Sequence, residues 1–169
     1  METTEKIYSL SYKEAKTYLL ALLFIAGNII LPQLCHLAPG GGQAWLPIYF
    51  FTLIASYKYG LRVGLLTAVL SPLLNNALFG MPPANALSAI AVKSSILAVA
   101  AAYMAYKAKG ISFWAVLVAV AVYQVAGTLI EWEIVNDFHT ALQDFRIGIP
   151  GILLQIFGGY LALKAIAKL

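Results

Sequence analysis

The sequence predicts an all-α membrane protein, a single domain over residues 1–169 built as a bundle of six transmembrane helices with both termini cytoplasmic. Three observations carry this. Of the 169 residues, 62% are hydrophobic and 11% charged, and the mean hydropathy of +0.83 exceeds what the core of a soluble domain of this size requires. The apolar residues fall in runs separated by Gly, Pro and charged residues, and the basic residues cluster at alternate ends of those runs. At about 20 apolar residues per crossing, six crossings use about 120 residues, leaving short connections and no separate soluble domain.

The charged N-terminus "METTEKIYSLSYKEAK" precedes the first run, 16–34. That run is as long as a span and lacks a small-residue cleavage pattern, so it reads as a retained helix and not a signal peptide. The segment "CHLAPGGGQAW" follows, and its three consecutive glycines cannot continue a helix cheaply, which predicts a loop. Further spans are predicted near 45–57, 61–77, 84–106, 112–131 and 148–166, the second and third being short. Small residues four apart in the later spans, such as Gly64/Ala68, Ala98/Ala102 and Gly158/Ala162, permit close helix approach.

Lys6, Lys13 and Lys16 precede span one, Lys58 and Arg62 join spans two and three, Lys107 and Lys109 join four and five, and Lys164 and Lys168 close the chain. Nine of the eleven basic residues therefore share one side if the number of crossings is even, and the positive-inside rule makes that side cytoplasmic. The net charge of +4 is thus a topology signal; with no basic patch or recognition motif it does not point to nucleic acid. The single Cys35 excludes an internal disulfide and a cysteine-based metal cluster.

Lys93 is the one basic residue inside a predicted span, and a membrane lysine is a functional-site candidate that needs a partner. Its helical neighbours include Ala86, Ala89 and Ala100, a small-residue face that turns the lysine into the bundle. Glu131, Glu133, Asn136, Asp137, His139, Asp144 and Arg146 crowd the outer mouth of span five and the loop after it. Were the helix to continue, Glu133 and Asp137 would form a like-charged i,i+4 pair. The lysine either meets a ligand anion or pairs internally with one of these acids. Asn28, Asn75, Asn76, Gln124 and Gln155 are amides within spans, fit for helix-to-helix hydrogen bonds or ligand contacts. Trp45 and Trp132 flank outer loops where they could bracket a flat ligand. No H-E-x-x-H, nucleophile elbow, P-loop or dinucleotide fingerprint is present, so no catalytic residue, metal or cofactor is assigned and the chain has no ATPase motif of its own.

The run "HLAPGGGQAWLPIYFFTLIASYKYGLRVGLLTAVLSPLLNNALFGMPP", 36 to 83, resembles the substrate-binding S components of energy-coupling factor (ECF) vitamin transporters, and "GIPGILLQ", 148 to 155, is similar to their last span. The resemblance rests on the glycine-rich first outer loop, the Leu46-Pro47 helix start, the Tyr59-Gly60 turn, the "GLLxxxxSPLL" of span three and the "GMPP" loop. The AxxxA pattern that the family often carries on span one is missing, since Ala21 and Ala26 are five apart.

The resemblance implies a subunit in the bacterial cytoplasmic membrane that captures a vitamin or related small molecule outside and works with a transmembrane coupling subunit and two cytoplasmic ATPases. It places the ligand among the first outer loop and spans four to six. Together with the residues' own chemistry, this predicts substrate binding by Lys93, Trp45, Asn75, Gln124, Glu131, Trp132, Glu133, Asn136 and His139; Lys93 would face an anionic group of the ligand, although similar proteins tend to carry an acid near that position. His36, Gly40, Gly41 and Gly42 would form the gating loop. A self-sufficient carrier or channel relaying ions through Lys93 and the acids, and a membrane enzyme using the outer Glu/Asp/His cluster, are the competing expectations.

Overall fold

The computed structural model describes residues 7–168; these are mostly helical, with no strand among them. Four helices are long and apolar enough to cross a membrane: α1 (Ala15–Cys35), α4 (Leu61–Phe79), α5 (Ala84–Ala108) and α6 (Phe113–Val135). Between α1 and α4 lie α2 (Gly41–Trp45), a 3-10 turn (Pro47–Tyr49) and α3 (Phe50–Tyr59). After α6 come α7 (Phe138–Ala141), α8 (Gln143–Arg146) and a last apolar helix, Ile149–Ala165. That helix consists of α9 (Ile149–Leu153), a π turn (Leu154–Gly158) and α10 (Gly159–Ala165).

The side chains explain the environment. On α1 the buried residues Thr17, Ala21, Phe24, Ile25, Asn28 and Pro32 recur at helical spacing, while Leu19, Leu22, Leu23, Ile30 and Leu34 point outward and are exposed. A helix apolar on its exterior as well as its interior belongs in lipid, and the chain is an all-α membrane protein. The short α3 is the central helix, packed against α1, α4 and α5, with Leu53, Ala55 and Tyr57 fully buried.

A polar seam binds the center. Asn28 Nδ2 donates to Thr52 Oγ1 (3.1 Å) and Ser71 Oγ (3.2 Å), Thr52 and Ser94 hydroxyls lie 3.3 Å apart, and Ser56 donates to the Ala98 carbonyl. Without an enclosing aqueous phase such bonds replace the hydrophobic effect as the interhelical glue.

The contacts also fix which ends gather. Tyr8 N donates to Lys58 O, Lys58 Nζ to Ala167 O, Arg62 Nη1 to Leu10 O and Tyr57 OH to Gly110 O. Both described ends of the chain and the α3–α4 and α5–α6 connections therefore meet at one basic end. The α1–α3 and α4–α5 connections and residues 136–148 lie at the opposite, acidic end, where they enclose the cavity described below.

Several boundaries differ from the sequence expectation. Span two was expected to start at 45, but the helix breaks at Leu46, which sits at φ +46° and closes α2 before Pro47 opens the next turn. The glycine segment, expected as a loop, contains α2: Gly41 packs on the Cys35 carbonyl and Gly42 on the His36 ring, where a Cβ would collide. The helix expected to stop at 131 runs on to Val135, and the loop expected after it holds α7 and α8.

Candidate functional site

The site begins with Lys93. It lies nine residues into α5, about 13 Å along the axis from the start of the helix, and is 2% exposed. Its ammonium donates to Glu131 Oε2 at 2.7 Å and to Asp144 Oδ2 at 2.5 Å. Glu131 is on the last turns of α6 and Asp144 on α8, so three elements converge on one buried charge. The lysine reaches them because Gly127, one turn before Glu131, leaves room: a Cβ there would stand 2.8 Å from Lys93 Cγ and 3.3 Å from Cε. Taking charges out of water is costly unless they are paired and hydrogen-bonded, and here one ammonium faces two carboxylates.

This cluster borders a cavity of about 380 Å³ at the acidic end, within the size range of small-molecule sites. One side is formed by the first connection, with His36, Gly42, Gln43 and Leu46. Met81, Pro82 and Pro83 from the α4–α5 turn form another, and Thr140 and Gln143 come from α7 and α8. Tyr49, Asn75, Lys93, Glu131 and Asp144 also line it. Asn75 is 1% exposed; its Nδ2 donates to the Asn28 and Ser71 carbonyls at 2.8 and 3.0 Å, and its Oδ1 has no hydrogen-bond partner. The Tyr49 ring packs on Tyr123 with centroids 5.3 Å apart. Tyr123 OH accepts from Gln124 Nε2 (2.8 Å) and donates to Gln155 Oε1 (2.6 Å) on the π turn.

Of the residues singled out from sequence, the structure brings Lys93, Glu131, Asn75, His36 and Gly42 to this cavity. His36 is held by Nδ1 at 2.6 Å from the Pro32 carbonyl. Gly40 and Gly41 shape the same connection without lining the cavity, Gly40 at φ +70° before α2 and Gly41 buried against Cys35. Gln124 is buried in the Tyr123 chain, one layer behind Tyr49.

The remaining expectations place residues elsewhere. Trp45 is 44% exposed and Trp132 is 42% exposed, the latter edge-on to Phe138 at 5.0 Å, so the two do not bracket the cavity. Glu133 is exposed because two residues beyond Glu131 a helix has turned about 200°. The like-charged Glu133/Asp137 helical pair does not form: α6 ends at Asn136, which adopts φ +58°, and Asp137 instead caps α7. Its carboxylate accepts from His139 N at 3.0 Å and from the Thr140 hydroxyl. The Thr140 hydroxyl first, then the His139 amide, hold that carboxyl below the usual aspartate range. His139 itself lies exposed beside Arg146 Nη1, 2.6 Å from Nε2.

Asp144, Tyr49 and Gly127 are the site residues that sequence reasoning did not assign. Asp144 stood in the crowd of acids, but only α8, read as loop, aims it inward. Gly127 had a signal, a glycine inside a span one turn from an acid. Among the described residues no group of three or more His, Cys, Asp or Glu is arranged to hold a metal ion. The arrangement suits polar recognition of a small molecule within a largely apolar bundle. Comparison with protein-family models, with curated proteins and with solved structures finds no match.

Proposed function

We propose that the chain is a membrane-embedded small-molecule-capture subunit, similar to the S components of ECF-type vitamin importers. In this reading the six helical legs are six crossings of a bacterial cytoplasmic membrane, the basic end with both termini is cytoplasmic, and the cavity opens outward. The observation that carries the reading is the 380 Å³ cavity, bordered by a buried charged cluster and by the glycine-containing first connection. A connection that is short in side chains and lies against the cavity suits a gate. Release inside would require a transmembrane coupling subunit and two ATPases, since the sequence has no P-loop. Native mass spectrometry of the gently purified protein tests capture. A stoichiometric co-purifying molecule of vitamin size is the expected result, and reproducible absence of any bound small molecule from protein prepared in rich medium overturns it.

The Lys93–Glu131–Asp144 cluster favors one second reading, a self-sufficient carrier that relays protons through these groups. Uptake or proton flux by the purified chain alone in liposomes, abolished by Glu131→Gln, would establish that reading over the first.

A further inference from the structure

The expectation of an anionic ligand rested on a lysine awaiting a counter-charge. In the folded protein that counter-charge is already supplied twice. With Lys93 ionised and Glu131 and Asp144 both ionised, the cluster has a formal charge of −1, and the lining contains no second Lys or Arg. Lys93 directs two of its three N–H donors at Glu131 Oε2 and Asp144 Oδ2, while Glu131 Oε1 and Asp144 Oδ1 receive no donor from the described residues.

A second observation is independent of the charges. Asn75 is held by its amide nitrogen against two backbone carbonyls, which fixes its orientation by chemistry, and its carbonyl oxygen is left buried at the cavity wall without a donor. An unmet buried acceptor costs free energy that a bound donor recovers. Three acceptors without a donor therefore belong to residues that line the cavity, two of them carboxylate oxygens. An anion brought beside these oxygens would meet like charge.

We propose that the cavity takes a small organic cation carrying N–H donors, an ammonium or amidinium head, bound to the free oxygens of Glu131 and Asp144 and to Asn75. This rests on the cavity being the ligand site of the proposed function. Lys93 is then a positioning residue that holds the two carboxylates apart and partly neutralises them, so that a monocation leaves the site neutral.

The test uses the full chain in lipid nanodiscs and three probes that share a ring and differ in charge: benzamidinium, benzoate and benzyl alcohol. Benzamidinium is expected to raise the unfolding midpoint with concentration, and benzoate is not. Glu131→Gln and Asp144→Asn each keep a one-to-one pair with Lys93, so both should fold, and each should weaken benzamidinium binding about tenfold or more, as loss of a charge-assisted hydrogen bond does. The inference is overturned if benzoate or benzyl alcohol stabilises at least as well, if the benzamidinium effect survives both substitutions, or if benzamidinium has no effect. Mass spectrometry separates the two levels: a co-purifying anion or neutral molecule removes the charge assignment and leaves capture standing, whereas no bound molecule and no probe binding removes both.

Discussion

Lys93 is held in place by charge on one side and by the absence of a side chain on the other. Replacing it with methionine keeps the bulk and leaves Glu131 and Asp144 facing each other without a cation, which for a buried pair costs about 3–5 kcal/mol. Chemical or thermal unfolding of Lys93→Met in detergent should show a loss of that order; unchanged stability would mean that the two carboxylates are not held by the ammonium. Gly127→Ala probes the other side. The added methyl would meet Lys93 Cγ at 2.8 Å, and forcing a buried side chain aside typically costs about 1–3 kcal/mol. The same unfolding measurement should therefore place Gly127→Ala between the wild type and Lys93→Met. An inward lysine with an acidic partner on the neighboring helix was legible in the sequence, because membrane charge, small neighbors and a nearby acidic cluster all point that way. Which acids pair was only half legible. Glu131 and Glu133 are equally acidic on paper, and only a helix continued to Val135 turns the first inward and the second out.

At the level of elements, the site depends on short helices whose ends are fixed by local chemistry more than by packing. The α6–α7 corner illustrates this: Asn136 turns the chain through the left-handed region, and Asp137 then caps α7, which bears Thr140 to the cavity. Because the folded carboxyl of Asp137 is depressed relative to the unfolded chain, its cap contributes fully above the ordinary aspartate range and is lost as pH falls through the lowered value. Amide exchange at His139, whose N–H donates to that carboxylate, should be protected at neutral pH and lose protection on acidification. Asp137→Asn, which retains a capping oxygen without the charge, should make the protection insensitive to that pH change. Periodicity located the long helices within a few residues, since their apolar runs are bounded by glycine, proline and lysine. It could not find α2, α7 and α8, four or five residues each, because a single helical turn has no period to read and is specified by tertiary contact. The packing of Gly41 on Cys35 and of Gly42 on His36 is such a contact, invisible until the chain is folded back.

The whole molecule poses a question of length. Contacts at the basic end require the chain to pass between the two ends six times, yet among the described residues only four helices are long and apolar enough to cross a membrane on their own. The return leg 47–59 spans about 20 Å and the leg 149–165 about 25 Å at helical rise, against a hydrocarbon thickness of about 30 Å. Burial resolves this for the first. Residues 52–59 of α3 are buried, so the leg is solvated by other helices, and the irregular backbone at Leu46 is tolerated because it too is buried, at 6% exposure. A short leg wrapped in longer ones also leaves the space above it that becomes the cavity. If this leg does cross, its ends face opposite compartments. Single cysteines at Ala38 and Leu61, in a Cys35→Ser background, should react differently with a membrane-impermeant maleimide in intact cells: Ala38→Cys labels from outside, and Leu61→Cys labels only after permeabilisation. Labelling of both from outside would make the segment a re-entrant hairpin and overturn the crossing.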